Sequence, residues 1–162
     1  LSALPKETVV GVVGAGAMGA GIAQVAAAAG HQVLVFDSQI SAAADAKVRL
    51  QQTLAKLIEK GKLTQVEGTA LLERIRPVEQ LSELAGCGLI VEAIIEDLAA
   101  KTALFVEIEK FVSSEAIVTT NTSSLSITAL ASALQRPQRF AGLHFFNPAP
   151  VMPLVEVVSG LA

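Results

Sequence analysis

The stretch Val12-Val13-Gly14-Ala15-Gly16-Ala17-Met18-Gly19-Ala20-Gly21 decides the fold. It follows a Val-rich run over residues 8–13 that reads as a buried strand, and it opens residues 17–29, which read as a helix closed by Gly30. Gly14 permits a tight turn, Gly16 lets the backbone approach a pyrophosphate without a Cβ in the way, and Gly19 lets the helix lie close to the strand. The helix N-terminus then presents unpaired N–H groups and a favourable dipole to phosphate. Residues 32–36 read as a second strand, and Asp37 ends it. A carboxylate there accepts from a ribose hydroxyl and repels a 2′-phosphate, so NAD is expected rather than NADP. Gly14, Ala15, Gly16, Ala17, Met18, Gly19 and Asp37 are the candidate cofactor contacts. The ordinary structural alternative is a glycine turn with no ligand and an Asp that caps the next helix.

Outward from this βαβ unit the chain keeps alternating. Residues 41–59 read as a long helix with Leu50, Leu54, Leu57 and Ile58 on an apolar stripe. Gly61-Lys62 breaks it, and residues 64–74 resume as a helix with Thr64 and Glu67 forming a capping box. Further strands are expected at 75–78, 89–92, 117–120, 140–145 and 154–158. Helices are expected at 98–112, with Leu98, Phe105, Ile108 and Val112 near one face, and at 127–134. This order predicts an α/β, Rossmann-type, doubly wound, mostly parallel sheet with an inserted helical hairpin, in one domain over residues 1–162.

Composition agrees. Of 162 residues, 52% are apolar and 17% charged, which suits strands covered on both faces. The net charge of −3 offers no basic footprint for nucleic acid. No apolar run approaches a membrane span of about 20 residues, and no signal peptide or metal site is expected. Cys87 is the single cysteine, sits in a glycine break and is expected to be inert. A reducing compartment fits it. The chain starts at Leu1, which suggests a processed chain or a fragment.

Two polar segments lie at expected strand ends, where ligands bind in open α/β sheets. One is Thr120-Asn121-Thr122-Ser123-Ser124-Leu125; the other is Gly142-Leu143-His144-Phe145-Phe146-Asn147-Pro148. An imidazole can exchange a proton near neutral pH. Glu156 is a lone carboxylate in an apolar run, expected to point inward and to need a partner, for which His144 is the candidate. Such a pair orients the imidazole as the acid of a catalytic triad does.

Gly14-x-Gly16-x-Met18-Gly19-x-Gly21-Ile22-Ala23, Val91-Glu92-Ala93, Asn121-Thr122-Ser123-Ser124 and His144-Phe145-Phe146-Asn147-Pro148 together resemble the L-3-hydroxyacyl-CoA dehydrogenase family, over essentially the whole chain. The resemblance implies NAD-dependent oxidation of a (3S)-3-hydroxyacyl-CoA to the 3-oxoacyl-CoA. It implies that His144 is the base, Glu156 its acidic partner, and Ser123 the hydroxyl that bonds the substrate oxygen and touches NAD. It also implies cofactor contacts at Glu96, Lys101 and Asn147, and coenzyme A contacts at Thr53 and Lys60. A helical C-terminal domain normally follows in the family and makes a homodimer; it is absent from this chain. A bacterial-type cytoplasmic enzyme is expected, or a mitochondrial one if the source is eukaryotic.

Ordinary readings stand beside these. His144 can be a satisfied core histidine, and the helix lysines a solvated face. Ser123 and Ser124 can be caps, although Ser126 is the expected one, and Lys101 can pair with Asp97 one turn back. His31, just after Gly30, is expected at the surface. Rival functions are a β-hydroxyacid dehydrogenase, whose base is a lysine in a second domain, and a lens-crystallin-like structural relative that turns nothing over.

Overall fold

The computed structural model describes residues 4–161. Seven strands form one sheet: β1 (Val10–Val13), β2 (Val33–Phe36), β3 (Ile75–Val78), β4 (Leu89–Glu92), β5 (Ile117–Thr120), β6 (Phe140–Phe145) and β7 (Val155–Ser159). Their spatial order is β3-β2-β1-β4-β5-β6-β7. Every pair is parallel except β6–β7, which is antiparallel. The order reverses between β1 and β4, and the crevice beyond their carboxyl ends is where such sheets bind ligands.

The helices are α1 (Ala17–Ala28), α2 (Ala42–Glu59), α3 (Gln65–Glu73), α4 (Leu98–Ile108) and α5 (Ile127–Ala131). Alternate strand residues feed two cores. Val12, Val33, Val35 and Val91 pack with Ile22, Leu50, Leu54 and Leu71 of α1, α2 and α3. Val13, Ile90 and Val118 pack on the other face with Phe105, Ile108, Ile127 and Leu130 of α4 and α5. That is why β1, β2 and β4 read as apolar runs and not as alternating ones.

Helix ends follow local chemistry. Gly30 takes a left-handed φ of 100° after α1. Its N–H bonds Ala27 and that of His31 bonds Ala26, the double closure that a left-handed glycine makes possible. The same turn folds His31 back under the N-terminal segment, so it is buried and not at the surface, with Nδ1 3.1 Å from the Thr8 carbonyl. Thr64 and Glu67 form the expected capping box at α3. Helices α4 and α5 end about one turn earlier than the apolar pattern suggests. Beyond Ile108 and Ala131 the N–H groups of Phe111 and Leu134 bond the third residue back, so the chain tightens as it leaves each helix. Leu98, expected inside, is exposed; the inner face of α4 is Lys101, Phe105 and Ile108.

Strand β7 departs from expectation as well. It is the sheet edge, every one of its residues is exposed, and the Glu156 carboxylate stands half in solvent at 54%. Glu156 therefore does not point into a core. No helix among the described residues is long and apolar enough to cross a membrane.

Candidate functional site

The glycine turn has the shape its residues suggest. Gly14 sits at φ 105°, and a Cβ there would meet the Ala93 carbonyl oxygen at 2.5 Å. A Cβ at Gly19 would lie 1.8 Å from the Gly14 oxygen, so α1 packs directly on the turn. A Cβ at Gly16 would meet nothing within 4 Å, which leaves the turn open to a ligand on that side. Gly16 is also the N-cap of α1, with no side chain closing the first turn. Its free N–H groups can therefore take an anion. Ala15 is buried and Ala17 is exposed beside the opening, with Met18 between the two in exposure.

Asp37 belongs to this turn and not to the next helix. Oδ2 accepts from the Ala15 N–H at 2.7 Å and Oδ1 from the Gln39 N–H at 2.9 Å. Ser41, not Asp37, is the N-cap of α2. Each carboxylate oxygen keeps a lone pair for a hydroxyl. Arg49 of α2 reaches back with Nη2 3.5 Å from the Ala15 carbonyl. An open glycine corner, an uncapped helix N-terminus and a fixed carboxylate fit a dinucleotide.

At the ends of β4 and β5 a charged cluster forms. Glu92 is fully buried and Lys101 is 1% exposed. Lys101 Nζ donates to Glu92 Oε1 at 2.6 Å and lies 3.3 Å from Glu96 Oε2. It does not pair with Asp97, which instead caps α4 by accepting from the Ala100 N–H. Glu92 also accepts from the Ile94 N–H and the Thr120 hydroxyl, both at 2.6 Å. Glu96 Oε1 accepts from the Thr122 hydroxyl at 2.5 Å, the Ser123 N–H at 3.1 Å, and the Ser124 N–H and hydroxyl at 3.3 and 3.2 Å. Burial works against the Glu96 charge. The Thr122 hydroxyl, the Lys101 ammonium and the Ser123 N–H outweigh it and hold the carboxyl below the usual range. Ser123 is exposed, and Ser126 caps α5.

His144 and Glu156 are directly opposed in the β6–β7 ladder. Nδ1 lies 3.0 Å from Glu156 Oε2, and the imidazole stacks at a tilt on Phe146, centroids 4.7 Å apart. The Phe145 N–H donates to Asn121 Oδ1 at 2.8 Å, which ties the His144 strand to the Ser123 loop. Asn147 follows in the exposed turn after β6. That turn leads to Pro150, which lines a small cleft of about 190 Å³ with Ala17, Gly21, Gln24, Arg49 and Thr53. So the structure brings Thr53 next to the glycine turn and the chain after His144. Lys60 is the C-cap of α2, two turns further out and exposed.

Sequence reasoning missed two contributors and the inward face of a third. Asn121 lay inside a quoted motif but was given no task. A charge between Val91 and Ala93 in a buried strand calls for a cation, which the sequence alone does not name for Glu92. Lys101 was not seen as an inner-face residue, although it stands four and seven positions before Phe105 and Ile108. Among the described residues no cluster of metal ligands occurs. Burial pushes the Cys87 thiol up to about 11, which keeps it unreactive.

Comparison with known proteins agrees with the fold. The profile of the family described as 3-hydroxyacyl-CoA dehydrogenase, NAD binding domain, matches residues 9–162. A 3-hydroxyadipyl-CoA dehydrogenase of Escherichia coli K12 is 49% identical over 94% of this chain and 32% of its own length. A probable 3-hydroxybutyryl-CoA dehydrogenase of Bacillus subtilis is 46% identical over 93% of this chain and 53% of its own length. The crystal structure of a 3-hydroxybutyryl-CoA dehydrogenase from E. coli K12 superposes with a TM-score of 0.94 at 48% identity, covering 98% of this chain and 34% of that one. The chain thus spans between about a third and about half of the length of these two relatives. With the family profile running from the first strand to the last, this chain belongs to the 3-hydroxyacyl-CoA dehydrogenase family and is its NAD-binding domain.

Proposed function

We propose that this domain carries both the cofactor site and the proton-transfer group of an enzyme that oxidises a (3S)-3-hydroxyacyl-CoA to the 3-oxoacyl-CoA. The carrying observation is the His144–Glu156 pair, held at 3.0 Å by opposed strands near the carboxyl end of β6. Removing two hydrogens from a secondary alcohol takes a hydride from carbon and a proton from oxygen. Bound NAD supplies the hydride acceptor.

The protein's own residues do the rest. His144 takes the hydroxyl proton on Nε2, the nitrogen left over once Nδ1 faces Glu156. Glu156 fixes that tautomer and stabilises the imidazolium that forms. Ser123 donates to a lone pair of the substrate oxygen and leaves the substrate O–H aimed at Nε2 of His144. In the reverse direction the imidazolium returns the proton to the alkoxide. Gly14 to Gly19 and Asp37 hold the adenosine half of the dinucleotide. Glu96 and Asn147 form the side against which its other half lies; Lys101, 1% exposed, stands behind Glu96 and not at the contact the resemblance implies. Thr53 and Lys60 line the approach of coenzyme A, a role supported by the cleft that joins Thr53 to Pro150.

The same reading assigns the remaining length of the relatives to a helical second domain and a homodimer formed through it, with a cytoplasmic location. The β-hydroxyacid dehydrogenase alternative has less support, because it leaves the His144–Glu156 pair without a task. Turnover of acetoacetyl-CoA with NADH by the longest natural form that carries this domain tests the reading; complete inactivity there would overturn it.

A further inference from the structure

We infer that Glu92 and Lys101 are positioning residues that act through Glu96 to hold the Ser123 loop, leaving the Ser123 hydroxyl as the one hydroxyl of residues 120–124 offered to a ligand. Of the four hydroxyls in this stretch, Thr120 donates to Glu92, and Thr122 and Ser124 donate to Glu96. The Ser123 hydroxyl has no protein partner among the described residues, while its N–H is held by Glu96. The two carboxylates therefore take the other three hydroxyls, and Glu96 holds the Ser123 and Ser124 N–H groups on either side of the remaining one.

The burial explains why the arrangement is stiff. Two charges removed from water are tolerated only when their partners satisfy them, and an apolar pair of similar volume commonly gives equal stability. Phe105 and Ile108 show that the inner face of α4 accepts apolar groups. Stability alone thus gives no reason for Lys101. Its connections do. Its ammonium joins the deepest carboxylate, Glu92, to the half-exposed one, Glu96. Glu92 holds the end of β5 through Thr120, and the Thr122 N–H in turn lies on the Thr120 oxygen at 3.2 Å. The loop is gripped from beneath by Glu92 and from the front by Glu96, with Lys101 between them. With its nitrogen spent on two carboxylates and 1% of its surface exposed, Lys101 acts on a ligand through Glu96 and not by touching it.

The proposal shares one element with the functional reading, namely that Ser123 meets substrate, so its test is first made without substrate. Amide hydrogen exchange is measured in the ligand-free protein for wild type, for the neutral pair Glu92→Gln/Lys101→Met, and for the milder Lys101→Gln. The Ser123 and Ser124 amides are expected to exchange roughly 10-fold faster in the neutral pair, with Lys101→Gln between, and with the amides of β1 unchanged. In turnover, kcat should fall roughly 10-fold or more while KM for NADH moves less than about 3-fold. Wild-type exchange at both serines in either folded variant overturns the proposal. So does failure of both variants to fold, since the pair is then a core element. Loss of wild-type turnover would instead count against the functional reading and leave the exchange result standing.

Discussion

His144 and Glu156 face each other across β6 and β7, and the ladder register alone brings Nδ1 to within 3.0 Å of a carboxylate oxygen. The carboxylate is half exposed, so water screens part of its effect on the imidazolium. Glu156→Gln should therefore cost less than loss of the acid in a buried triad, where the penalty is about 10⁴-fold. We expect kcat to fall by roughly 10- to 100-fold with NADH affinity unchanged. Steady-state kinetics and a fluorescence titration of NADH measure the two; a wild-type kcat would remove Glu156 from the mechanism.

Gly16 and Gly19 should separate binding from folding. A methyl at Gly19 would sit on the Gly14 carbonyl at 1.8 Å, so Gly19→Ala must push α1 away from β1. Overpacking of that kind typically costs about 1–3 kcal/mol. Gly16→Ala meets no protein atom within 4 Å, and stability should stay within about 0.5 kcal/mol while NAD binding weakens. Thermal unfolding and cofactor titration of both variants read this out. Equal loss of stability in the two would contradict the open-corner geometry.

Asp37 should set the choice of dinucleotide. Its carboxylate is fixed by the Ala15 and Gln39 N–H groups, and each oxygen keeps a lone pair for a hydroxyl. Wild type is expected to bind NAD more tightly than NADP, and Asp37→Ser should narrow the gap by removing the repulsion of a 2′-phosphate. Parallel titrations decide; tighter NADP binding by wild type would reverse the assignment.

Glu96 predicts a pH dependence of the Ser123 loop. Its carboxyl is held below the ordinary value of 4.5, so its contribution is complete above that value and is lost as pH falls through the lower folded-state value. The stability difference between wild type and Glu96→Gln should be largest near neutral pH and shrink toward zero in acid. Chemical denaturation at several pH values measures it. A difference that grows in acid would have the wrong sign.

The sheet was legible because its chemistry is local. Val and Ile runs mark strands covered on both faces, Gly30 and the Thr64–Glu67 pair mark helix ends, and the glycine turn marks the switch from strand to helix. The ligand-side motifs were legible because they sit at strand ends. What escaped was long-range. Glu92 and Thr120 meet only because β4 and β5 pair in that register. Lys101 turns inward to meet them, while Leu98 at the first turn of the helix stays exposed. Asn121 finds the Phe145 N–H through the β5–β6 pairing. The exposure of Glu156 follows from the position of β7 at the sheet edge, which apolar patterning along one strand does not reveal.

The most direct measurement compares wild type with His144→Gln in NADH-dependent reduction of acetoacetyl-CoA, using the longest natural form that carries this domain. Glutamine keeps polarity at the site but cannot hold and release the proton. The account predicts wild-type turnover and a fall in kcat of roughly 10²- to 10⁴-fold in the variant, with NADH binding and thermal stability unchanged. A His144→Gln enzyme that turns over at the wild-type rate would contradict it.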